Sequence, residues 1–361
     1  MDNKNNYVAI MAGGIGSRFW PESRTQYPKQ FLDILGTGKS LIQWTYHRFK
    51  NICPKENIYF IINHSYLQTL KDQIPEVNEA NIISEPYRKN TAPCAAYFAH
   101  KMMALNPDAN IILSPADHLI MDERSFEQTC QDALSFVAKN DALLTLGIKP
   151  TRPDTGYGYI QYDVDDEIDK IYRVKTFTEK PSLELAQTFL KSGDFLWNSG
   201  IFVWNVKTVM DALEKHLPEM NEVFTQAREV YNTPEEGRVI NELYAHCTNI
   251  SIDYGIMEKA KNVFVIPSHF GWCDLGTWES AYENSEKDYL GNAVYGKNVM
   301  VIDASECMIK APAEKLVLVQ GLEKFIVIDT ADVLLICERN REQQIKEYVA
   351  EVKRNKGEKF L

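Results

Sequence analysis

MAGGIGSRFWPESRTQYPKQF, residues 11–31, follows a short apolar run from Tyr7 to Met11 that predicts a buried strand. Gly13, Gly14 and Gly16 open backbone angles closed to other residues and let amide donors approach a ligand closely. Arg18 and Lys29 add positive charge that a neutral turn lacks, and Pro21 and Pro28 stiffen the connection between them. A glycine loop with two cations at the end of a strand predicts an anion trap, with phosphate as its guest.

The rest of the chain bounds that reading. With 361 residues and a hydrophobic share of 45%, it has material for a large core. The formal net charge of -11 argues against nucleic acid as a partner, so any polyanion must be small and held by local positives. No apolar run is long enough to cross a membrane, and the polar start MDNKNNY implies a cytoplasmic location. Seven scattered cysteines imply reduced thiols rather than a disulfide frame or a zinc knuckle.

Up to Leu146, short β-rich runs alternate with amphipathic segments: Ile58 to Ile62, Ile82 and Ile83 before a helix over Thr91 to Leu105, Ile111 to Leu113 before a helix over Ser125 to Lys139, then Ala142 to Leu146. This rhythm predicts an α/β fold, a Rossmann-like, mostly parallel sheet with helices on both faces. Ligands of such sheets sit beyond the carboxyl ends of the strands, so the loops after Met11, Ser84 and Leu113 should converge on one crevice. Longer mixed elements follow: Val174 to Thr178, a helix from Leu183, Phe195 to Val203, helices from Val206, and Val263 to Ile266. After about Asp288 come five short apolar pulses without helical spacing, which predict a small β module or solenoid turns, and Arg341 to Lys353 predicts a final amphipathic helix. Residues 1–287 are read as one domain and residues 288–361 as a second, small one.

Two common glycine motifs are excluded. A dinucleotide fingerprint starting at Gly14 and Gly16 would place its third small residue on Phe19, too bulky for the helix contact. A P-loop ending in GKS at Gly38 to Ser40 would need glycine where Asp33 stands, so Lys39 and Ser40 are read as a turn and a helix start. The remaining pattern, AGGIGSRFWPESR with PKQF, resembles the signature of the sugar nucleotidyltransferases. Its tryptophan–proline version is similar to that of the mannose-1-phosphate guanylyltransferases, with Ser17 where the family usually has threonine. EPYRKNTAPCAA, residues 85–96, resembles the family's guanine-reading segment, although Asn90 and Thr91 also suit a helix cap.

SPADHLI, residues 114–120, puts Asp117 directly after a strand, where a carboxylate suits magnesium on triphosphate oxygens. GWCDLGTW, residues 271–278, holds Asp274; in the family two such aspartates share the metal. Cys273 is read as a packing residue, and His118 as orienting Asp117 rather than as a base. TGYGYI, FTEKP and WNSGIFVW supply Gly158, Glu179, Lys180 and Asn198, which the resemblance assigns to the sugar phosphate. Trp197 and Trp204 are read as core aromatics, and Asp253 of SIDYGIMEK as bracing the site rather than reacting.

The resemblance spans Met11 to Trp278, and the later pulses resemble the family's left-handed β-helix module. It implies a nucleotidyltransferase that joins GTP to mannose-1-phosphate with Mg2+, and Arg18 and Lys29 as its catalytic cations. Nucleotide binding falls to Ala12, Gly13, Gly14, Gly16, Ser17, Glu85, Asn90, Thr91, Ala92 and Asp117, and the metal to Asp117 and Asp274. Family members are often dimers, so the resemblance leaves a homodimer open, with the β module as its candidate interface, and no residue pattern in the chain fixes it. Longer members add a phosphomannose isomerase domain, for which the residues after the β module are too few, so no isomerase activity is expected. Two other readings stay open here: a nucleotidyltransferase for another sugar-1-phosphate or triphosphate, and a noncatalytic nucleotide-sensing subunit.

Overall fold

The computed structural model describes residues 3–14 and 16–361. A nine-stranded sheet organises the larger part. Its strands lie in the spatial order Ile82–Glu85, Ile58–Asn63, Asn6–Ala12, Asn110–Pro115, Phe195–Asn205, Leu143–Ile148, Val263–Ser268, Ile171–Glu179 and Gly158–Ile168. The first four pair in parallel, as the alternating sequence pattern predicts. Phe195–Asn205 then inserts antiparallel between Asn110–Pro115 and Leu143–Ile148, and the hairpin of Gly158–Ile168 with Ile171–Glu179 closes the far edge.

Because successive side chains of a strand face opposite ways, the first strand feeds two cores. Tyr7 and Ala9 join Phe98, Val209 and Phe224 on one face; Val8, Ile10 and Ala12 join Tyr46, Phe49, Phe126 and Leu134 on the other. Helix starts are set locally. Ser40 and Gln43 form a reciprocal capping box for the helix Leu41–Phe49, and the Asn90 side chain accepts from Thr91 N at the head of the helix Thr91–Leu105. Trp197 and Trp204 are buried core aromatics. All seven cysteines are free thiols. Among the described residues, no helix is long and apolar enough to cross a membrane.

The C-terminal residues wind into short β coils. Ala293–Tyr295, Met308–Lys310 and Phe325–Asp329 pair in parallel, as do Val299–Ile302 and Val317–Gln320, and Leu334–Glu338 closes the stack antiparallel. A short 3-10 turn, Arg339–Gln344, leads into the final helix, Ile345–Lys356. Ala304, Cys307, Ile309, Val319 and Val327 form a small core inside the module, and its other face is shared with the larger part. Met308, Ile326, Leu335 and Ile345 pack with Phe19, Trp20, Leu275 and Trp278, so the segments carrying Arg18 and Asp274 are seated on it. Polar ties reinforce the seat: Lys310 Nζ lies 2.8 Å from Glu22 Oε2, Arg24 pairs with Asp332 at 2.8 Å, and Trp20 Nε1 donates to the Phe360 carbonyl at 2.8 Å.

Candidate active site

The three loops expected to converge do so. Ala116 N donates to the Met11 carbonyl at 2.9 Å, joining the turn after Asn110–Pro115 to the end of the first strand. On the other side a Cβ on Gly13 would lie 3.3 Å from Glu85 Oε2, so the carboxylate at the end of Ile82–Glu85 stands against the glycine loop. Gly16 has φ 62°, and a Cβ there would sit 2.3 Å from Lys29 Cβ; only glycine lets the loop close over the lysine. Ser17, Arg18 and Phe19 form a short 3-10 turn. Gln30 Nε2 donates to the Ala12 carbonyl at 2.7 Å and to the Gly14 carbonyl at 3.1 Å, fixing the loop from below.

Lys29 is buried, and its ammonium lies 2.9 Å from Asp117 Oδ2 and 2.5 Å from the Asp274 carbonyl. Two of its three N–H donors are thereby used and one is left. The Lys29 charge and its hydrogen bond outweigh burial and hold the Asp117 carboxyl below its usual range. Asp274 Oδ1 accepts from the Tyr157 hydroxyl at 2.8 Å and from Gly276 N at 3.0 Å, while among the described residues none donates to Oδ2. His118 Nδ1 accepts from Trp272 Nε1 at 3.1 Å, which fixes the ring's orientation, and burial pulls its pKa down.

Lys29 thus meets the carboxylate of Asp117 and the backbone of Asp274, two aspartates whose carboxylates are of the kind a hard divalent cation takes. Among the described residues, no group of three or more histidine, cysteine, aspartate or glutamate side chains is placed to hold a metal. Magnesium takes one or two carboxylates and completes its shell with water and phosphate oxygens. Arg18, Arg152, Lys180, Asp274 and Glu342 line one cavity of about 740 Å3. Arg18 Nε is buried there without a hydrogen-bond partner among the described residues, an orphan donor of the kind an anion satisfies.

The remaining predicted residues gather around Asp253. Asn198 Nδ2 donates to Asp253 Oδ1 at 2.9 Å, while Asn198 Oδ1 accepts from Thr145 Oγ1 at 2.9 Å and Gly200 N at 3.1 Å. The amide is thus fixed in orientation with one N–H left over. A Cβ on Gly158 would fall 2.5 Å from Glu179 Oε2, so Gly158 gives Glu179 room. Lys180 Nζ pairs with Glu179 Oε1 at 3.0 Å from a largely exposed position. Burial, and then the Glu179 charge, push Asp253 up to about 7. The same segment braces the other pocket: Ile250 and Ile252 bond Ala92 N and Thr91 Oγ1, at 3.1 and 2.9 Å. Asn90 serves as the helix cap. Burial raises Glu85 to about 7 even though the Tyr244 hydroxyl donates to it.

Gln30, Tyr157 and Tyr244 are functional neighbours that the sequence reading did not single out. Gln30 and Tyr157 stand inside quoted motifs, PKQF and TGYGYI; nothing local marks Tyr244.

Residues 7–291 match the family described as Nucleotidyl transferase, and residues 297–352 match one described as MannoseP isomerase/GMP-like beta-helix domain. The chain is 38% identical over 352 residues to the mannose-1-phosphate guanylyltransferase of Salmonella montevideo, covering 95% of this chain and 73% of that one. It is 35% identical over 355 residues to the alginate biosynthesis protein AlgA of Pseudomonas aeruginosa, covering 95% and 71%. Among solved structures, one titled mannose-1-phosphate geranyltransferase, from Thermus thermophilus, superposes with a TM-score of 0.87 at 28% identity, covering 97% of this chain and 99% of that one.

Proposed function

The chain belongs to the nucleotidyl transferase family, in its mannose-1-phosphate guanylyltransferase branch, and from that premise we propose how its residues convert GTP and α-D-mannose 1-phosphate into GDP-mannose and diphosphate. It is a sugar-1-phosphate nucleotidyltransferase. The nucleophile, a sugar phosphate oxygen, is already anionic. It forms a bond to the α-phosphorus of GTP while the bond to the bridging oxygen of the β-phosphate breaks, so no proton transfer and no enzyme-bound intermediate are needed. The obstacle is repulsion between two polyanions, and catalysis reduces to holding them in line and neutralising charge.

In this reading Arg18 draws on the departing diphosphate, and its orphaned Nε supports that role. Lys29 offers its spare N–H to the α-phosphate from a buried position, where a fixed charge acts with little screening. Lys180 meets the sugar phosphate, while Glu179, the Gly158 backbone and the spare N–H of Asn198 receive the sugar hydroxyls. Ala12, Gly13, Gly14, Gly16 and Ser17 hold the triphosphate, and Glu85, Asn90, Thr91 and Ala92 read guanine. A magnesium ion held by Asp117 and Asp274 would supply charge neutralisation on triphosphate oxygens.

The observation that carries the proposal is the meeting of Lys29 with both Asp117 and Asp274, from three distant parts of the chain. Direct displacement is tested with a chiral α-thio GTP. Inversion at phosphorus is expected; retention would require a covalent intermediate and end this mechanism.

A further inference from the structure

The turn from Asp33 to Leu41, the helix Leu41–Phe49 and the segment His118–Arg124 enclose a second cavity of about 640 Å3. It shares no lining residue with the cavity that holds Arg18 and Asp274. Ile34, Leu35, Leu119 and Met121 give it apolar walls, and Trp44 adds an indole face with Lys39 Nζ 4.7 Å from the ring centroid.

Arg48 lines this cavity in an unusual state. Its side chain is only 5% exposed; among the described residues its Nε has no hydrogen-bond partner, its one ion pair is a loose contact with Glu123 Oε1 at 3.7 Å, and its guanidinium lies 5.5 Å from the Phe126 ring centroid. A buried guanidinium kept for packing normally has its donors satisfied, because an uncompensated buried charge is costly. The acids around it are otherwise engaged. Asp33 accepts from Thr37 N at 2.8 Å and Gly38 N at 2.7 Å, and Asp122 caps a helix through Ser125 N at 3.0 Å. Lys39 and Arg124 add positive charge among the lining residues. Burial lowers Arg48 only to about 10, so it remains a cation at neutral pH.

We propose that this cavity is a second ligand site, for a small amphipathic anion whose phosphate or carboxylate pairs with Arg48 and whose apolar body lies against Trp44 and Leu119. The guanidinium supplies a planar fork that matches either anion, and the apolar walls select against free inorganic ions.

The test follows Trp44 fluorescence, isolated by subtracting a Trp44→Phe control, during titration with phenyl phosphate, benzoate, inorganic phosphate and benzyl alcohol. Phenyl phosphate or benzoate should saturate with a Kd of about 1 mM or tighter, and whichever does so names the preferred head group. Inorganic phosphate and benzyl alcohol should bind at least ~10-fold more weakly, since each lacks half of the match. Arg48→Met should fold, because an apolar residue of similar length replaces a poorly paired buried charge, and should lose at least ~10-fold in affinity. Glu123→Gln, which removes the competing carboxylate, should bind at least as tightly as the wild type. Lys29→Ala should leave the signal unchanged, separating this site from the catalytic cavity. The proposal is overturned if no probe saturates, if Arg48→Met binds as the wild type does, if Glu123→Gln binds more weakly, or if Lys29→Ala abolishes the signal.

Discussion

The Lys29 ammonium lies 2.9 Å from Asp117 Oδ2, and the same nitrogen reaches the Asp274 carbonyl, so one side chain ties the glycine loop to both proposed metal ligands. Gly16 makes that tie possible by leaving no Cβ in the space that Lys29 occupies. Charge and loop geometry are therefore one device.

Removing the ammonium should remove transition-state stabilisation without unfolding the sheet. Lys29→Ala is expected to lower kcat/KM by about a hundredfold, the usual scale for one positioned charge in a dry site. Steady-state kinetics with a circular dichroism control measure it. Turnover within a few-fold of wild type would take Lys29 out of the mechanism.

Gly16 and Gly14 should separate sharply. Gly16→Ala combines a positive φ with a Cβ 2.3 Å from Lys29 Cβ, so it should cost on the order of 2 kcal/mol and most of the activity. Gly14 has open space where a Cβ would go, and Gly14→Ala should leave the urea midpoint nearly unchanged. Equal effects of the two substitutions would contradict the loop geometry.

Asp253 carries a pH signature. Burial and the Glu179 charge raise its pKa from 3.8 to about 7 in the folded chain. The native state therefore holds this proton more tightly than the unfolded chain; the stabilisation is complete below pH 3.8 and is lost as pH rises through 7, on the order of 4 kcal/mol. Asp253→Asn, which keeps an acceptor for Asn198, should gain stability relative to wild type progressively between about pH 4 and 7. Urea unfolding of both proteins across that range decides it, and a pH-independent difference would refute the assignment.

The β module should be needed for the site, because Trp20 and Phe19 pack on its residues Met308, Ile326 and Leu335. Trp20→Ala removes a buried ring and its bond to the Phe360 carbonyl, and should cost about 3–5 kcal/mol. Thermal unfolding measures it. A cost below about 1 kcal/mol would mean that the loop holds its shape unaided.

Much of this was legible in the chain. The helix Thr91–Leu105 was readable to its ends because Asn90 caps it and its apolar spacing is unbroken, and the central parallel strands announce themselves as continuous buried runs such as Ile58 to Ile62. The strand Gly158–Ile168 was not readable beyond its opening motif: its outer half, DVDDE, is an edge largely facing solvent and carries no apolar alternation. Ala293–Tyr295 is too short to leave a pattern. The motifs named Lys29, Asp117 and Asp274 separately, yet nothing local joins them. Tyr244 was invisible because its partner, Glu85, stands 159 residues away. The module's dependence on Phe19 and Trp20 was hidden likewise, since a shared core is a property of packing rather than of either segment.

The central claim is that this site joins a guanine nucleotide to a mannose phosphate, and diphosphate release by the purified chain with magnesium tests it most directly. GTP with α-D-mannose 1-phosphate should release diphosphate stoichiometrically with GDP-mannose, and replacing GTP by ATP or the sugar by glucose 1-phosphate should slow it by tenfold or more, about 1.4 kcal/mol in the barrier. Faster release with either substitute, or none with the expected pair, would contradict the account.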